Sequence, residues 1–150
     1  MAYKIGKDGS VKLGSAAIVG MGTWTMDGVT TDQVDTSAFG DTWKTFEYGQ
    51  KDGGTISFNG HGDPTDTTGQ QALLQANLYA SDLTNLRFYV DNTSYFEPCQ
   101  STGYFSPTLT TGAPTKLSTC CITAYNASLD KAGVMAISFT AKVSGCMVLV

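Results

Sequence analysis

The residue types that carry most enzyme chemistry are sparse in this sequence. Its single histidine, His61, lies in a turn-like HGDPTD segment, and no G-x-S-x-G motif is present to place a nucleophilic serine on an elbow. Neither a Walker-type loop nor a G-x-G-x-x-G motif follows a predicted strand. A Ser–His–acid triad or a phosphate-binding loop is therefore not predicted, and we expect neither enzymatic activity nor a cofactor.

Cysteines and paired carboxylates are the remaining candidates for metal or redox chemistry. None of the cysteines has the C-x-x-C spacing of a zinc site, and the first residues do not resemble a secretory signal, so we expect reduced thiols. The four are Cys99, Cys120, Cys121 and Cys146. Asp63 and Asp66 flank Pro64 before a predicted helix, where carboxylates usually interact with the helix dipole. We therefore expect no metal site.

Composition favours a mainly β protein. A chain of 150 residues is typical of one domain, here 1–150. Charged residues make up only 15% of it, and 17 glycines provide turn signals, as in all-β proteins. No apolar run approaches the length that crosses a bilayer, so no membrane partner is expected.

Negative charge is concentrated between residues 27 and 66. This segment has eight acidic residues and two lysines, a net charge of −6, whereas the rest of the chain has a net charge of +2. Such a distribution argues against nucleic-acid binding, which requires basic residues to neutralise phosphates. The alternative is a solvated acidic face that only aids solubility.

Hydrophobic periodicity predicts many strands and one helix. The first 15 residues form an arm or a short strand, and strands follow at 17–26 and 29–36, joined by a turn at Asp27-Gly28. The helix covers 69–80, with a capping box of Thr68 and Gln71 and Gln70 facing water. Its core-facing stripe is formed by Leu74 and Leu78, with Leu73 and Ala76 beside them. The other strands are predicted at 55–59, 86–91, 95–99 with a continuation at 103–106, 116–125 and 134–143; a loop covers 108–115. The 134–143 strand alternates, with an apolar face of Met135, Ile137, Phe139, Ala141 and Val143.

Residues 37–54 form a long predicted loop rich in aromatics: Phe39, Trp43, Phe46 and Tyr48. A loop of this length without structure of its own is unusual in a compact domain and is often functional. Either the loop folds back on its own core, or a neighbouring subunit orders it, since exposed apolar groups among polar ones mark interaction sites.

The segment GDTWKTFEYGQKDGGTISFNGHGDPTDTTGQ, residues 40–71, resembles the tail tube proteins, or major tail proteins, of long-tailed bacteriophages. That family pairs a DTW…F…G…DGG…SF segment with a DP.D..GQ..L turn and helix. The C-terminal ISFTAKVSG is similar to the family's closing strand, so the resemblance covers about 17–148. The cysteines at 120, 121 and 146 depart from the pattern.

The resemblance implies a β-sandwich or half-barrel with one flanking helix, which completes a β-barrel in a hexameric ring. Stacked rings would form the tail tube, the conduit for DNA ejection. The implied partners are other copies of the chain, the tape-measure protein, the tail terminator and the baseplate or tip proteins. DNA would pass through the lumen without specific binding. The protein would be assembled in the host cytoplasm and reside in the virion tail.

Two sets of residues are assigned from these arguments. The 37–54 loop is expected to bridge subunits through Phe39, Asp41, Trp43, Lys44, Phe46 and Tyr48. Strands 17–26, 29–36, 55–59 and 134–143 would form the lumen wall, because the polar face of 134–143 bears small residues. Candidate lumen residues are Asp32, Asp35, Thr55 and Ser57. Regular alternation would let only one of Asp32 and Asp35 point inward, where six-fold repetition would make a ring of negative charge that repels DNA.

Two other functional classes stay open from the residues alone. One is a cell-surface or receptor-binding β-domain, which a secretion signal or glycan binding by the monomer would favour. The other is a small hydrolase on a β scaffold, which a loss of activity on replacing His61 would favour.

Overall fold

Two antiparallel five-stranded sheets face each other in the computed structural model, which describes residues 3–99 and 117–150. One sheet has the order β10-β7-β6-β1-β2 and the other β3-β4-β9-β8-β5. The mainly β fold with one helix is therefore confirmed. The elements are a 3-10 turn at Gly6–Asp8, β1 Ser10–Leu13, β2 Ala16–Ala17, β3 Met21–Asp35, β4 Phe46–His61, α1 Gln70–Leu78, β5 Asp82–Leu83, β6 Leu86–Tyr89, β7 Tyr95–Pro98, β8 Thr119–Ser128, β9 Ala136–Ser144 and β10 Met147–Leu149.

An aromatic core joins the two sheets. Phe58 on β4 packs edge-on against Phe88 on β6, with ring centroids 5.3 Å apart, and stacks on Phe139 of β9 at 5.2 Å. Trp24 on β3 also contacts Phe88 at 5.6 Å. Alternation along β9 buries Ile137, Phe139, Ala141 and Val143, as the sequence pattern predicts. One face of each strand therefore builds the sandwich core.

β3 is one continuous strand, so the turn predicted at Asp27-Gly28 is wrong. Gly28 and Gly54 lie opposite each other between the pairs Asp27↔Thr55 and Val29↔Gly53, with φ of 72° and 88°. A Cβ on Gly54 would lie 2.4 Å from the carbonyl oxygen of Asp27. The two glycines thus allow the backbones of β3 and β4 to approach closely at an irregular point of their pairing, and they do not mark a chain reversal.

The predicted loop at 37–54 is also too long. β4 begins at Phe46, and its pairing with β3 runs without a third strand to Asp35↔Phe46, so the connection covers only 36–45. Aromatic and β-branched residues in both strands support this pairing. Phe46 and Tyr48 consequently lie in a strand rather than in a loop.

The N-terminal arm prediction is wrong for Ser10–Leu13, and the alternative of a short strand is right. These residues form β1, which pairs with β6 from Ser10↔Tyr89 to Leu13↔Leu86. Val11 is 1% exposed and belongs to the core, because β1 covers what would otherwise be an open edge of β6.

The helix begins differently from the capping-box prediction. The carboxylate of Asp66 accepts hydrogen bonds from the backbone N–H groups of Gly69 and Gln70, each at 3.1 Å, so Thr68 and Gln71 do not form the cap. Gln70 is buried rather than solvated. Its amide accepts a hydrogen bond from Asp63 N at 2.7 Å and donates one to the His61 carbonyl at 2.9 Å.

The core-facing stripe of the helix is confirmed at Leu73 and Ala76 and wrong at Leu78. Leu73 and Ala76 are buried, whereas Leu78 is exposed at the C-terminal end. The predicted strand at 103–106, the loop at 108–115 and the start of the 116–125 strand lie outside the described residues. β6 ends at Tyr89, because Asp91 accepts hydrogen bonds from Thr93 and Ser94 in a turn.

Candidate assembly surfaces

Residues 29–53 form a two-stranded ribbon, here called the projecting hairpin, that extends beyond the sheet. β9 pairs with β4 only from Thr55↔Lys142 to His61↔Ala136, so it does not flank the hairpin. Tyr48 is 81% exposed, and three other apolar side chains along the ribbon are also exposed: Val29, Val34 and Phe46. An apolar ribbon of this kind is a candidate contact surface.

The tip of the hairpin, residues 36–45, is shaped by its own polar groups. Thr36 N donates to Thr45 O at 2.9 Å, and Thr45 N donates to the Ser37 hydroxyl at 2.8 Å. Asp41 accepts a 2.6 Å hydrogen bond from Ala38 N. These bonds leave two aromatics pointing outward: Phe39, fully exposed, and Trp43, 82% exposed.

The structure brings all six sequence-predicted interface residues onto the hairpin. Four lie in the tip and two in β4: Phe39, Asp41, Trp43 and Lys44, then Phe46 and Tyr48. Each is exposed in the single chain, which removes the alternative that the segment folds back on its own core. Their contact with another subunit stays a prediction.

The side of the β3-β4-β9-β8-β5 sheet that faces away from the core carries small polar side chains, here called the polar face. Strand register aligns them in rows, because paired residues point to the same side of a sheet. One row is Thr25↔Ser57↔Thr140, and the next is Thr23↔Asn59↔Ser138↔Asn126. The predicted lumen residues Thr55 and Ser57 both lie on this face.

Asp32 and Asp35 do not lie on the same part of the sheet as Thr55 and Ser57. Both are exposed on the projecting hairpin, beyond the part of β4 that β9 flanks. The register shifts between Thr31 and Gln33, so Asp32 lies in an irregularity where alternation no longer fixes its side. Regular alternation therefore does not apply to Asp32, and whether either carboxylate faces a lumen stays a prediction. The Ser37 backbone N–H donates to Asp35 and holds the pKa of that carboxyl below its ordinary value.

The polar face has a charged pair that sequence reasoning missed. Lys142 Nζ lies 2.6 Å from Asp52 Oδ1 and 3.3 Å from the carbonyl oxygen of Gly54. The Lys142 ammonium is the main cause that lowers the pKa of Asp52. No local signal could have revealed the pair, since 90 residues separate its members.

Both long edges of this sheet offer backbone groups for pairing. β3 is the last of the described strands on one side. On the other, β5 pairs with β8 only at Cys120 and Cys121, so 122–128 have no further strand partner in the described part of the chain. Asn77 Nδ2 donates a hydrogen bond to the carbonyl oxygen of Ile122 at 2.8 Å. Long unpaired edges are a liability in a monomer and a means of assembly in an oligomer.

The residues considered for catalysis or metal binding do not converge. His61 is the last residue of β4, and its backbone bonds to Gly20 and Gln70. Within 3–99 and 117–150, no group of three or more His, Cys, Asp or Glu residues is arranged to hold a metal ion. The cysteines at 99, 120, 121 and 146 form no disulfide. Among the described helices, none is long and apolar enough to span a membrane.

Known structures share this fold across nearly the whole chain. A chain from the virion of a native gene transfer agent particle matches with a TM-score of 0.71 and 14% identity, covering 99% of each chain. A chain from the tail of the empty particle, refined with C6 symmetry, matches at 0.70 and 15% identity, again over 99% of each. The tube-terminating cap of the anti-feeding prophage matches at 0.58 and 11%, covering 100% of this chain and 92% of that one.

No family model and no curated protein matches the sequence. At these identities the structural matches establish the fold alone. The chain therefore has the fold found in tail and injection-tube particles, as the sequence resemblance led us to expect.

Proposed function

We propose that this chain is a structural virion subunit that polymerises as stacked hexameric rings to form a phage-type tail tube. The observation that carries the proposal is the fold match over 99% of both chains to a chain of a tail that has C6 symmetry. The protein is then assembled in the host cytoplasm and works in the virion tail, as a conduit for DNA ejection. Its role is structural rather than enzymatic.

Ring closure follows from the two open edges of one sheet. The β3 edge of one copy pairs with the β8 edge of the next, so that β3, β4, β9 and β8 of each subunit form a continuous wall. A closed barrel removes every edge, and barrels above about 16 strands leave a water-filled channel. Six four-stranded segments exceed that size.

The polar face lines the lumen in this arrangement. Its hydroxyl and amide side chains, including Thr55 and Ser57, keep the wall wet, and its lysine at 142 is bound to Asp52. Unpaired cations are what hold phosphates at a protein surface. DNA therefore passes without a specific binding site.

The projecting hairpin joins subunits by burying its aromatic side chains. Phe39, Trp43, Phe46 and Tyr48 supply the apolar contact, and Asp41 and Lys44 supply polar contacts at its rim, the usual anatomy of a protein interface. The other partners follow from the tube: a tape-measure protein within it, a terminator at one end, and baseplate or tip proteins at the other.

The proposal is tested by assembly of the purified protein. We expect rings of six subunits or tubes with a central channel in negative-stain micrographs, together with fast-sedimenting species whose fraction rises with protein concentration. A species that remains monomeric at high concentration, with neither rings nor tubes, contradicts the proposal. Glycan binding by that monomer would instead favour a receptor-binding domain.

A further inference from the structure

A groove of about 300 Å³ lies at the end of the sandwich where β3 begins. It is bounded by the 3-10 turn at Gly6–Asp8, by the first residues of β3 and by the end of β6. Val11 and Tyr89 in its lining are buried, whereas Ile5 is 64% exposed. An apolar cavity of about 150 Å³ holds benzene, so this groove has room for one large aromatic side chain.

We propose that the groove receives the tip of the projecting hairpin from a second copy of this chain in the adjacent ring, with Trp43 as the inserted side chain. The inference rests on the proposed function and adds the surface that receives the hairpin. The indole of Trp43 is 82% exposed in the single chain, and Trp is among the residue types enriched at the positions that dominate the binding energy of an interface.

The placement of the two surfaces on one strand is the first support. β3 runs over 15 residues, from Met21 in the groove lining to Asp35 at the base of the tip. At about 3.3 Å per residue, such a strand spans roughly 50 Å. The groove and the tip therefore lie at opposite ends of the subunit. A copy displaced along β3 brings its tip to the groove of its neighbour, and a contact between different surfaces repeats without closing, as a stack of rings requires.

Charge complementarity is the second support. Residues 3–13 have three lysines and one aspartate, and Asp91 pairs with Lys4 at 2.7 Å, so this end of the subunit has a net charge of +1. Residues 29–53 have five acidic residues and two lysines, a net charge of −3. Within the described residues, Lys7 beside the groove and Glu47 on the hairpin form no ion pair. Opposite charges around an apolar contact guide association and fix orientation.

Other orientations are disfavoured by the same features. A contact between two projecting hairpins along their length would bring together two surfaces of net negative charge, which repel. A groove-to-groove contact would do the same with positive charge and would leave both aromatics exposed. The contact between tip and groove is the arrangement that satisfies both charge and apolar burial.

A double-mutant cycle tests the contact. The variants are Trp43→Ala on the tip, Ile5→Ser at the groove and the two together, with Tyr79→Ala as the matched control, because Tyr79 is an exposed aromatic on neither surface. The measurement is the critical concentration for tube growth by light scattering, with electron microscopy to count rings and tubes. Thermal unfolding of each monomer verifies that the exposed substitutions leave folding unchanged.

We expect Trp43→Ala and Ile5→Ser each to raise the critical concentration at least tenfold while rings still form, and Tyr79→Ala to have no effect. The critical concentration of the double variant should be no higher than that of the more impaired single variant, because both substitutions remove the same contact. Multiplying effects, or a single variant with unaltered growth, would overturn the inference. Loss of rings with Trp43→Ala would overturn it too, by placing the tip within a ring. An unassembled wild-type protein instead overturns the proposed function.

Discussion

Asp52 Oδ1 and Lys142 Nζ form a salt bridge of 2.6 Å across β4 and β9, on the face of the sheet that points away from the core. The same Asp52 oxygen accepts a hydrogen bond from Gly54 N at 2.9 Å, and Lys142 also reaches the Gly54 carbonyl. The backbone at Gly54, which has a φ of 88°, thus holds the carboxylate in place. In the proposed tube this pair neutralises the lysine of the lumen wall.

Asp52→Asn should make assembled tubes bind DNA. Removing the carboxylate charge leaves six unpaired lysines per ring in a narrow bore, where like charges reinforce one another. We expect retention of short duplex DNA in a tube-pelleting assay, steeply weakened by added salt, whereas wild-type tubes retain little. Asp52→Asn/Lys142→Gln is the matched control and should restore the wild-type result. Equal retention by Asp52→Asn and wild-type tubes would contradict this assignment.

Lowering the pH should make wild-type tubes retain DNA, as Asp52→Asn does, only far below neutrality. Lys142 lowers the pKa of Asp52 from its ordinary value of 3.8, so the carboxylate stays ionised to a lower pH than an ordinary Asp. Its charge is lost as pH falls through the lowered pKa. Wild-type tubes should therefore still release DNA at pH 5.

The sequence predicted the core of this fold better than its boundaries. Alternation in β9 identified Ile137 and Phe139 correctly because one face of that strand is fully buried. The sequence pattern was misleading at Gly28 and Gly54. Glycine is favoured wherever the backbone needs a positive φ, which occurs both in turns and at irregular points within a pair of strands. Local pattern does not distinguish the two; the pairing partner decides.

Some residues of the candidate surfaces could be identified from the sequence and others could not. The exposed aromatics of the hairpin were identifiable by type, since Phe39 and Trp43 lie among polar residues. The roles of Asp66 and Gln70 were not, because their partners include the backbone of Val19, distant in sequence. A nearby Thr68 and Gln71 matched the capping-box spacing while a buried carboxylate had already satisfied the same N–H groups.

Asp66→Ala should destabilise the protein, whereas Thr68→Ala should not. Asp66 is buried and accepts from three backbone N–H groups, those of Val19, Gly69 and Gln70. Removing a cap and leaving buried donors unsatisfied should lower the free energy of unfolding by roughly 2–4 kcal/mol. Thr68→Ala, the matched control, should change it by about 0.5 kcal/mol or less. Urea titrations would measure both, and equal losses would contradict the assignment of the cap.

Gly54→Ala should be more destabilising than Gly40→Ala. Both glycines have φ near 88–89°, so each substitution carries the strain of a left-handed backbone, about 1 kcal/mol or more. At Gly40 a Cβ meets nothing within 4 Å, but at Gly54 it would lie 2.4 Å from Asp27 O. The difference between the two losses of unfolding free energy therefore measures the steric cost of a Cβ at the close approach of β3 and β4. A loss at Gly40 that equals the loss at Gly54 would show that strain alone matters.

The cysteines should differ sharply in reactivity. Burial raises the pKa of Cys120 to about 12, so its thiol stays protonated, and it is also shielded by Met147, whose sulfur lies 3.6 Å away. Cys121, the next residue, is half-buried on the polar face. In native protein at pH 8 we expect iodoacetamide to modify Cys121 and to spare Cys120, as read by peptide mass spectrometry. Modification of both at equal rates before unfolding would contradict the burial of Cys120.

Assembly should slow amide hydrogen exchange in the projecting hairpin. Among the residues that the structure describes, 29–35 and 46–53 pair only with each other, and an isolated two-stranded ribbon is marginally stable in water. In the monomer these amides should therefore exchange much faster than those of Ile56 and Phe58, which lie between β3 and β9. In tubes, contact with a neighbouring copy would remove the hairpin from solvent.

The comparison of the two segments makes this measurement specific. Amides at 55–61 are flanked by strands on both sides in the single chain, so they should be protected in monomer and tube alike and serve as an internal reference. Amides in the 36–45 tip should change most, because Phe39 and Trp43 have no cover in the monomer. Equal protection of the hairpin in both states would mean that it projects into solvent in the tube, and the bridging role would then be wrong.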